Sequence, residues 1–264
     1  MTYTHIDCFC GPGGICTGLH AAGFETLVAI EYIKSCVETY SANHPEVHVI
    51  HSDIRDVTAE QILPYIPSGG VDLVTSGMPC ETFSTAGNSS RAAYDDRQFL
   101  FREGIRIAQI ANARMILFEN VPMITTKRVA KTSKKLVLDV MKKELIEAGY
   151  GNFKQFIIDA EKYGVPQKRK RFFLLASRNP DDEITAPEIT TTKEVTVREA
   201  FCDIPPVVAN TWTENPMYLS ETSEYTRLMR DDTFWRRKTK ENKLLNHLPM
   251  NHRAYIIERF HMLR

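Results

Sequence analysis

Cys80 stands in Ser76-Gly-Met-Pro-Cys-Glu-Thr-Phe-Ser84, just after an apolar run. The flanking proline and glycine, and the small and polar residues that follow, mark a loop. A thiolate is a strong nucleophile, so a thiol in such a loop can attack carbon once its proton is removed. Glu119 closes the run Met-Ile-Leu-Phe-Glu-Asn-Val. A carboxylate at the end of a buried strand is expected to be partly desolvated, which favours its protonated form, and it could then donate to a ring nitrogen. Arg169 and Arg171 alternate in Gln167-Lys-Arg-Lys-Arg171, at the start of a predicted strand, so both should point to one face. A thiol, a carboxylate and paired arginines can do nucleophilic chemistry on a polar ring. Each segment alone has a plainer explanation: a turn-capping carboxylate before Pro122 and a solvated basic strand end are two of them.

The six cysteines are Cys8, Cys10, Cys16, Cys36, Cys80 and Cys202, and no pair has CxxC spacing. No zinc or other metal site is expected, and reduced thiols of a cytosolic protein are the simplest reading. Cys8, Cys10 and Cys36 read as small buried hydrophobes. Cys8 and Cys10, two apart at a strand end, should share a face while the strand lasts. Cys80 differs, because residues 83–97 form a long segment of little apolar content. A loop of that length serves as a lid or lacks order.

Upstream, Asp7-Cys-Phe-Cys-Gly-Pro-Gly-Gly14 reads as a strand, a glycine turn and a helix start. Gly11 and Gly13 would let backbone approach a ligand, and the helix N-terminus favours a carboxylate or phosphate. Glu31 ends the second strand, where an acid can take two ribose hydroxyls. Asp53 follows the third strand and could accept from an adenine amino group. The glycines alone are equally compatible with a turn that holds no ligand, and the two acids with surface carboxylates.

The chain has 264 residues, 43% hydrophobic and 25% charged, enough for one sizeable core. No apolar run reaches the roughly 18 residues of a membrane span, and no signal peptide is read at the N-terminus. The formal net charge is zero but uneven. Residues 1–126 carry 7 Lys and Arg against 14 Asp and Glu, and residues 127–264 carry 26 against 19. The basic half could lie against a polyanion, or could simply present solvated faces.

The elements that must position these groups alternate. Strands are predicted over 4–9, 26–30, 48–50, 71–75, 115–118, 153–158 and 171–176. Helices are predicted over 15–22, 33–43, 59–66, 99–111 and 129–148, with further helical segments at 198–202 and 255–262. Such alternation argues for an α/β protein with a mainly parallel sheet covered on both faces. Ligands of such sheets sit at the carboxyl ends of the strands, so the glycine turn, Glu31, Asp53, Cys80 and Glu119 should converge on one edge. Residues 205–245 have no clear assignment.

Taken in order, these segments resemble the DNA (cytosine-5)-methyltransferase family. The matches are Asp7-x-Phe-x-Gly-x-Gly-Gly14, Glu31-Tyr32, Asp53-Ile54, Gly77-x-Pro-Cys80-x-x-Phe-Ser84, Glu119-Asn-Val121 and Gln167-x-Arg-x-Arg171. They cover residues 4–177 and extend more loosely beyond. The resemblance implies a Rossmann-like, S-adenosylmethionine-dependent methyltransferase fold, with seven strands and an antiparallel last strand. Residues 1–178 would form the catalytic domain and 179–264 an extension toward a target-recognition region. Phe9, Gly11, Gly13, Glu31, Tyr32, Asp53, Ile54 and Pro79 would line the S-adenosylmethionine site, with Tyr32 and Ile54 flanking the adenine. Cys80 would add to carbon 6 of a cytosine turned out of double-stranded DNA. Glu119 would hold ring nitrogen 3 and the exocyclic amine, Arg171 the carbonyl oxygen, and Arg169 would support the site. Ser84 and Arg97 match loop positions that approach DNA. The products would be 5-methylcytosine and S-adenosylhomocysteine, made in a bacterial cytoplasm or nucleoid.

Family members continue into a target-recognition region, an Arg-Glu segment and a final helix that packs beside the glycine turn. None of these is found before Arg264. The expectation is therefore the larger part of a split enzyme, completed by a second polypeptide, or a truncated one. A transfer-RNA cytosine-5 methyltransferase shares these motifs, and a non-catalytic DNA-binding relative is a further alternative. A nicotinamide dehydrogenase would want G-x-G-x-x-G, whereas the run from Gly11 is G-P-G-G-I-C.

Overall fold

β-Branched and other apolar residues recur in short runs separated by helical stretches, and in the computed structural model seven such runs pair into one sheet. The structure describes residues 2–79, 96–130, 132–191, 193–210, 216–236, 244 and 247–262. Cys80, Ser84 and most of the predicted 83–97 loop lie outside these residues. The strands are β1 (Tyr3–Cys8), β2 (Phe24–Glu31), β3 (His48–His51), β4 (Leu73–Ser76), β5 (Met115–Asn120), β6 (Asn152–Asp159) and β7 (Lys170–Ser177). Their order is β3-β2-β1-β4-β5-β7-β6. β1 to β5 run parallel, and β7 is antiparallel to both neighbours, as expected of the last strand.

Among the described residues, five α-helices connect the strands: α1 (Gly14–Ala21), α2 (Lys34–Asn43), α3 (Ala59–Ile62), α4 (Phe101–Ile110) and α5 (Val137–Glu147). The two-residue repeat of the strands divides their side chains between two layers. Ile6, Cys8, Val28, Val74 and Phe118 join Phe101 of α4 and Met141 of α5 in the larger core. Ala29 faces the other way and packs with Cys16 of α1 and Tyr40 of α2. Helices therefore cover both faces, as the alternation predicts.

Two local expectations are corrected. The helix predicted over 129–148 begins only at Val137, because Arg128 and Leu136 pair in an antiparallel bridge just before it. There the Ser133 hydroxyl accepts the Lys135 N–H at 3.0 Å, a local bond that competes with helix. Cys8 and Cys10 do not share a face. Phe9 takes a left-handed backbone with φ +57°, which ends the strand and sends Cys10 into the smaller cluster.

The chain divides into two compact units, and residues 164–166 belong with 191–264 in the second. That unit contains α6 (Val197–Phe201), α7 (Glu224–Arg230) and α8 (Ala254–Met262). Thr196 and Ser223 cap α6 and α7, and the Ser223 hydroxyl donates to the Glu199 carbonyl at 2.7 Å, tying the two together. Arg230 pairs with buried Asp203 at 2.9 Å while its guanidinium lies 3.7 Å from the Tyr218 ring centroid. Residues 205–245 have no assignment from sequence, and the described residues of this unit are tied by single polar contacts of this kind.

Candidate active site

Strand register sets the edge. Cys8 pairs with both Ile30 and Ser76, Glu31 with His51, and Ser76 with Phe118. The residues after β1, β3 and β4, together with Glu31 and Glu119, therefore lie along one sheet edge. Since β7 runs the other way, its first residues, Lys170 and Arg171, reach the same edge.

A cavity of about 480 Å³ opens there, within the range of sites for drug-sized ligands. Phe9, Glu31, Tyr32, Asp53, Ile54, Pro79 and Arg97 line it, with Ile30, Ile33, Ser52, Arg55, Gly77 and Leu100. Six of the eight residues expected at a cofactor site are thus brought together. Ile54 is buried and Tyr32 exposed, so the lining offers an aliphatic floor and a solvent-facing aromatic wall.

Glu31 is buried at the end of β2. Its Oε2 accepts the Gly11 N–H at 2.9 Å, and Oε1 accepts the N–H groups of Tyr32 and Ile33 at 2.9 and 2.7 Å. Three backbone donors hold one carboxylate and fix the glycine turn to the strand end. An ionised carboxylate has about four acceptor positions, so one remains for a ligand hydroxyl.

Gly11 and Gly13 do not line the cavity. Gly13 has φ +99°, and an added Cβ would meet the His44 ring at 3.0 Å and Tyr40 at 3.2 Å. Its requirement comes from the helix-facing side of the turn. Asp53 is engaged by Arg55, whose Nε lies 2.9 Å from Oδ1 and whose backbone N–H also reaches Oδ1 at 3.0 Å. The Arg55 hydrogen bond holds the Asp53 carboxyl below its ordinary range. Asp53 accordingly has less free acceptor capacity than the sequence suggested.

Glu119 and Arg171 meet directly, with Arg171 Nε 2.9 Å from Glu119 Oε1. The carboxylate expected to be partly desolvated at a strand end has a guanidinium partner. Arg169 does not join them; it is exposed just before β7, and its carbonyl accepts the Ala160 N–H. Arg97, expected to approach DNA, is among the residues that line the cavity.

Sequence reasoning passed over Asn120. Buried at the end of β5, it donates to the Met78 carbonyl at 3.4 Å, two residues before Cys80, and accepts from Val121 N–H at 2.8 Å. Its place within Glu-Asn-Val was the available signal. The thiols of Cys8, Cys10, Cys16 and Cys36 are all pushed up, burial being the largest cause. Cys36 is only half-buried, not the core residue expected. None of these four is a ready nucleophile.

Beneath the turn runs a buried polar chain. The Thr75 hydroxyl donates to Asp7 Oδ1 at 2.7 Å and meets His5 Nε2 at 2.8 Å. His5 Nδ1 meets the Thr26 hydroxyl at 2.9 Å, and Thr26 meets Cys16 Sγ at 3.3 Å. Burial lowers the His5 pKa to about 3 and raises that of Asp7 to about 7.

Among the described residues, no helix is long and apolar enough to cross a membrane. A Type II methyltransferase of Haemophilus parahaemolyticus, M1.HphI, is 33% identical over 221 residues, which are 83% of this chain and 57% of that protein. The Type II methyltransferase M.DdeI of Desulfomicrobium norvegicum is 30% identical over 261 residues, 97% of this chain and 59% of its own. The chain thus spans under two thirds of these relatives. In fold it is similar to a prophage-encoded Escherichia coli protein described as a DNA modification methyltransferase, with TM-score 0.63, 22% identity, and coverage of 82% of this chain and 59% of the other. The family model for C-5 cytosine-specific DNA methylases matches residues 3–257, and the chain belongs to that family.

Proposed function

We propose that this chain carries the methyl-donor site and catalytic groups of a DNA (cytosine-5)-methyltransferase, acting on double-stranded DNA with S-adenosylmethionine as donor. The observation that carries the reading is the cavity whose lining runs from Glu31 and Tyr32 through Asp53 and Ile54 to Pro79, the residue bonded to Cys80. S-adenosylmethionine supplies an electrophilic methyl group on a sulfonium.

The lining suits that donor. Glu31 would accept from ribose hydroxyls, Tyr32 and Ile54 would flank the adenine, and Phe9 would pack nearby. Cys80 would add to carbon 6 of an extruded cytosine, making carbon 5 nucleophilic. The Glu119–Arg171 pair would hold ring nitrogen 3, the amine and the carbonyl oxygen, balancing charge as the ring loses aromaticity. Loss of the carbon 5 proton and then of the Cys80 sulfur restores the ring. Arg169 would support the site, and Ser84 and Arg97 would approach the DNA. Reading of the recognition sequence is assigned to the part of the relatives outside the match, supplied by a second polypeptide or further sequence.

Duplex DNA containing 5-fluorocytosine tests the proposal, with S-adenosylmethionine and any target-recognition partner supplied. The fluorine blocks loss of the carbon 5 substituent, so a covalent complex that resists denaturation should accumulate. It should vanish in Cys80→Ala, while that variant still binds donor in a calorimetric titration. Trapping that persists in Cys80→Ala would remove the thiol from the mechanism.

A further inference from the structure

Cys16 and His20 are four residues apart on α1, so their side chains share one helix face. His44, the residue that ends α2, faces them. One ligand atom from each of the three lies within 4.8 Å of the others. We propose that Cys16, His20 and His44 form a zinc site joining α1 to the end of α2.

The geometry suits the ion. Zinc takes sulfur at about 2.3 Å and imidazole nitrogen at about 2.0–2.1 Å in a tetrahedron, which sets the two donor atoms about 3.5–3.6 Å apart. Cys16 Sγ and His20 Nε2 are 3.6 Å apart. Closing the wider separations, at most 4.8 Å, to a tetrahedral edge asks up to about 1.5 Å of an imidazole.

The surroundings point the same way. Glu46 Oε1 lies 3.8 Å from His20 Nδ1, behind the nitrogen that would ligate. A carboxylate in that position favours the tautomer that leaves Nε2 free for metal. One zinc ion, one thiolate and one glutamate sum to zero charge. Tyr40, fully buried, packs its ring 5.0 Å from that of His44. Its hydroxyl lies beside the Cys16 sulfur, where a water on the fourth zinc position would give it a further partner. The His20 and Glu46 side chains, 13% and 36% exposed, give the site its contact with solvent.

Binding exchanges one proton: the Cys16 S–H bond breaks, a sulfur–zinc bond forms, and the proton leaves to solvent. CxxC spacing misses such a site because two ligands come from successive turns of one helix and the third from a segment 24 residues later. The site stands apart from the cavity, since none of its three residues lines it.

Cobalt(II) titration of the chelator-treated full chain tests this, because a thiolate–cobalt bond gives a near-ultraviolet charge-transfer band. One equivalent should produce the band, zinc should displace it, and zinc should raise the melting temperature. Cys16→Ser should abolish the band, and Cys36→Ser should retain it. His20→Ala, at a partly exposed position, should weaken binding at least 10-fold, and Glu46→Gln about 10-fold. These two variants keep the test decisive if Cys16→Ser does not fold. A chain that gives no band, or one whose band and affinity survive both Cys16→Ser and His20→Ala, overturns the site and leaves a thiol–imidazole hydrogen bond. Donor binding measured alongside reports on the cavity separately.

Discussion

Glu31 grips Gly11: the carboxylate of the one accepts the backbone N–H of the other at 2.9 Å, across 20 residues of chain. The same side chain takes the Tyr32 and Ile33 N–H groups. Its role is therefore double, in holding the turn and in facing the cavity. Hydrogen bonds to a charged group contribute about 1.5–3 kcal/mol each. Glu31→Ala should weaken S-adenosylmethionine binding at least 10-fold and lower the melting temperature. Calorimetry and thermal unfolding check both, and unchanged affinity would remove Glu31 from the donor site.

Arg171 should separate chemistry from donor binding, because it pairs with Glu119 and does not line the cavity. Arg171→Ala should reduce kcat about 10²-fold while the donor Kd stays within twofold. Single-turnover methyl transfer and a donor titration give the two numbers. A Kd that moves as far as kcat would show that the pair serves the cavity instead.

His5 and Asp7 should oppose each other across acid pH. Unfolded Asp releases its proton near the ordinary 3.8, but native Asp7 holds it to about 7. The native state then binds the extra proton, so this group lowers stability as pH rises through that window. Unfolded His binds a proton below the ordinary 6.5, and native His5 only below about 3. That group lowers stability as pH falls. The two nearly cancel between about pH 4 and 6.5. In Asp7→Asn the histidine is unopposed, so relative to the parent this variant should lose up to about 1.4 kcal/mol per pH unit on acidification. Denaturant unfolding at pH 4.5, 5.5 and 6.5 measures the difference; parallel curves would refute the pairing.

The edge where these groups meet was legible in the sequence. Glycines, prolines and carboxylates after apolar runs mark strand ends, and parallel strands put those ends together. The Glu119–Arg171 and Asp53–Arg55 pairs were not legible. A carboxylate's partner depends on which strand lies beside it and on side-chain reach, as β7 inserting between β5 and β6 illustrates. Gly13 was read correctly as special but for the wrong side of the turn, since His44 lies 31 residues away. The start of α5 was missed because the apolar residues of 129–136 continue a helical pattern that the Ser133 turn interrupts.

Gly13→Ala should cost about 1–3 kcal/mol, from a left-handed φ that an L side chain resists and from contact with His44 at 3.0 Å. His44→Ala in the same chain should recover only the contact part. A double-mutant cycle by chemical denaturation separates them, and full recovery would show that backbone strain is negligible.

The hydrogen-bonded row from Asp7 to Cys16 has a polarity. While Thr75 donates to Asp7, His5 must carry its proton on Nε2. Thr26 must then point its proton at Nδ1, leaving its oxygen to receive from the sulfur side. No hydroxyl in the row can turn alone without stranding a neighbour. A proton lost at the sulfur allows the whole file to turn about, provided that the carboxyl end keeps its own. The thiol under the first helix and the acid of the first strand, which never touch, thereby share one protonation ledger.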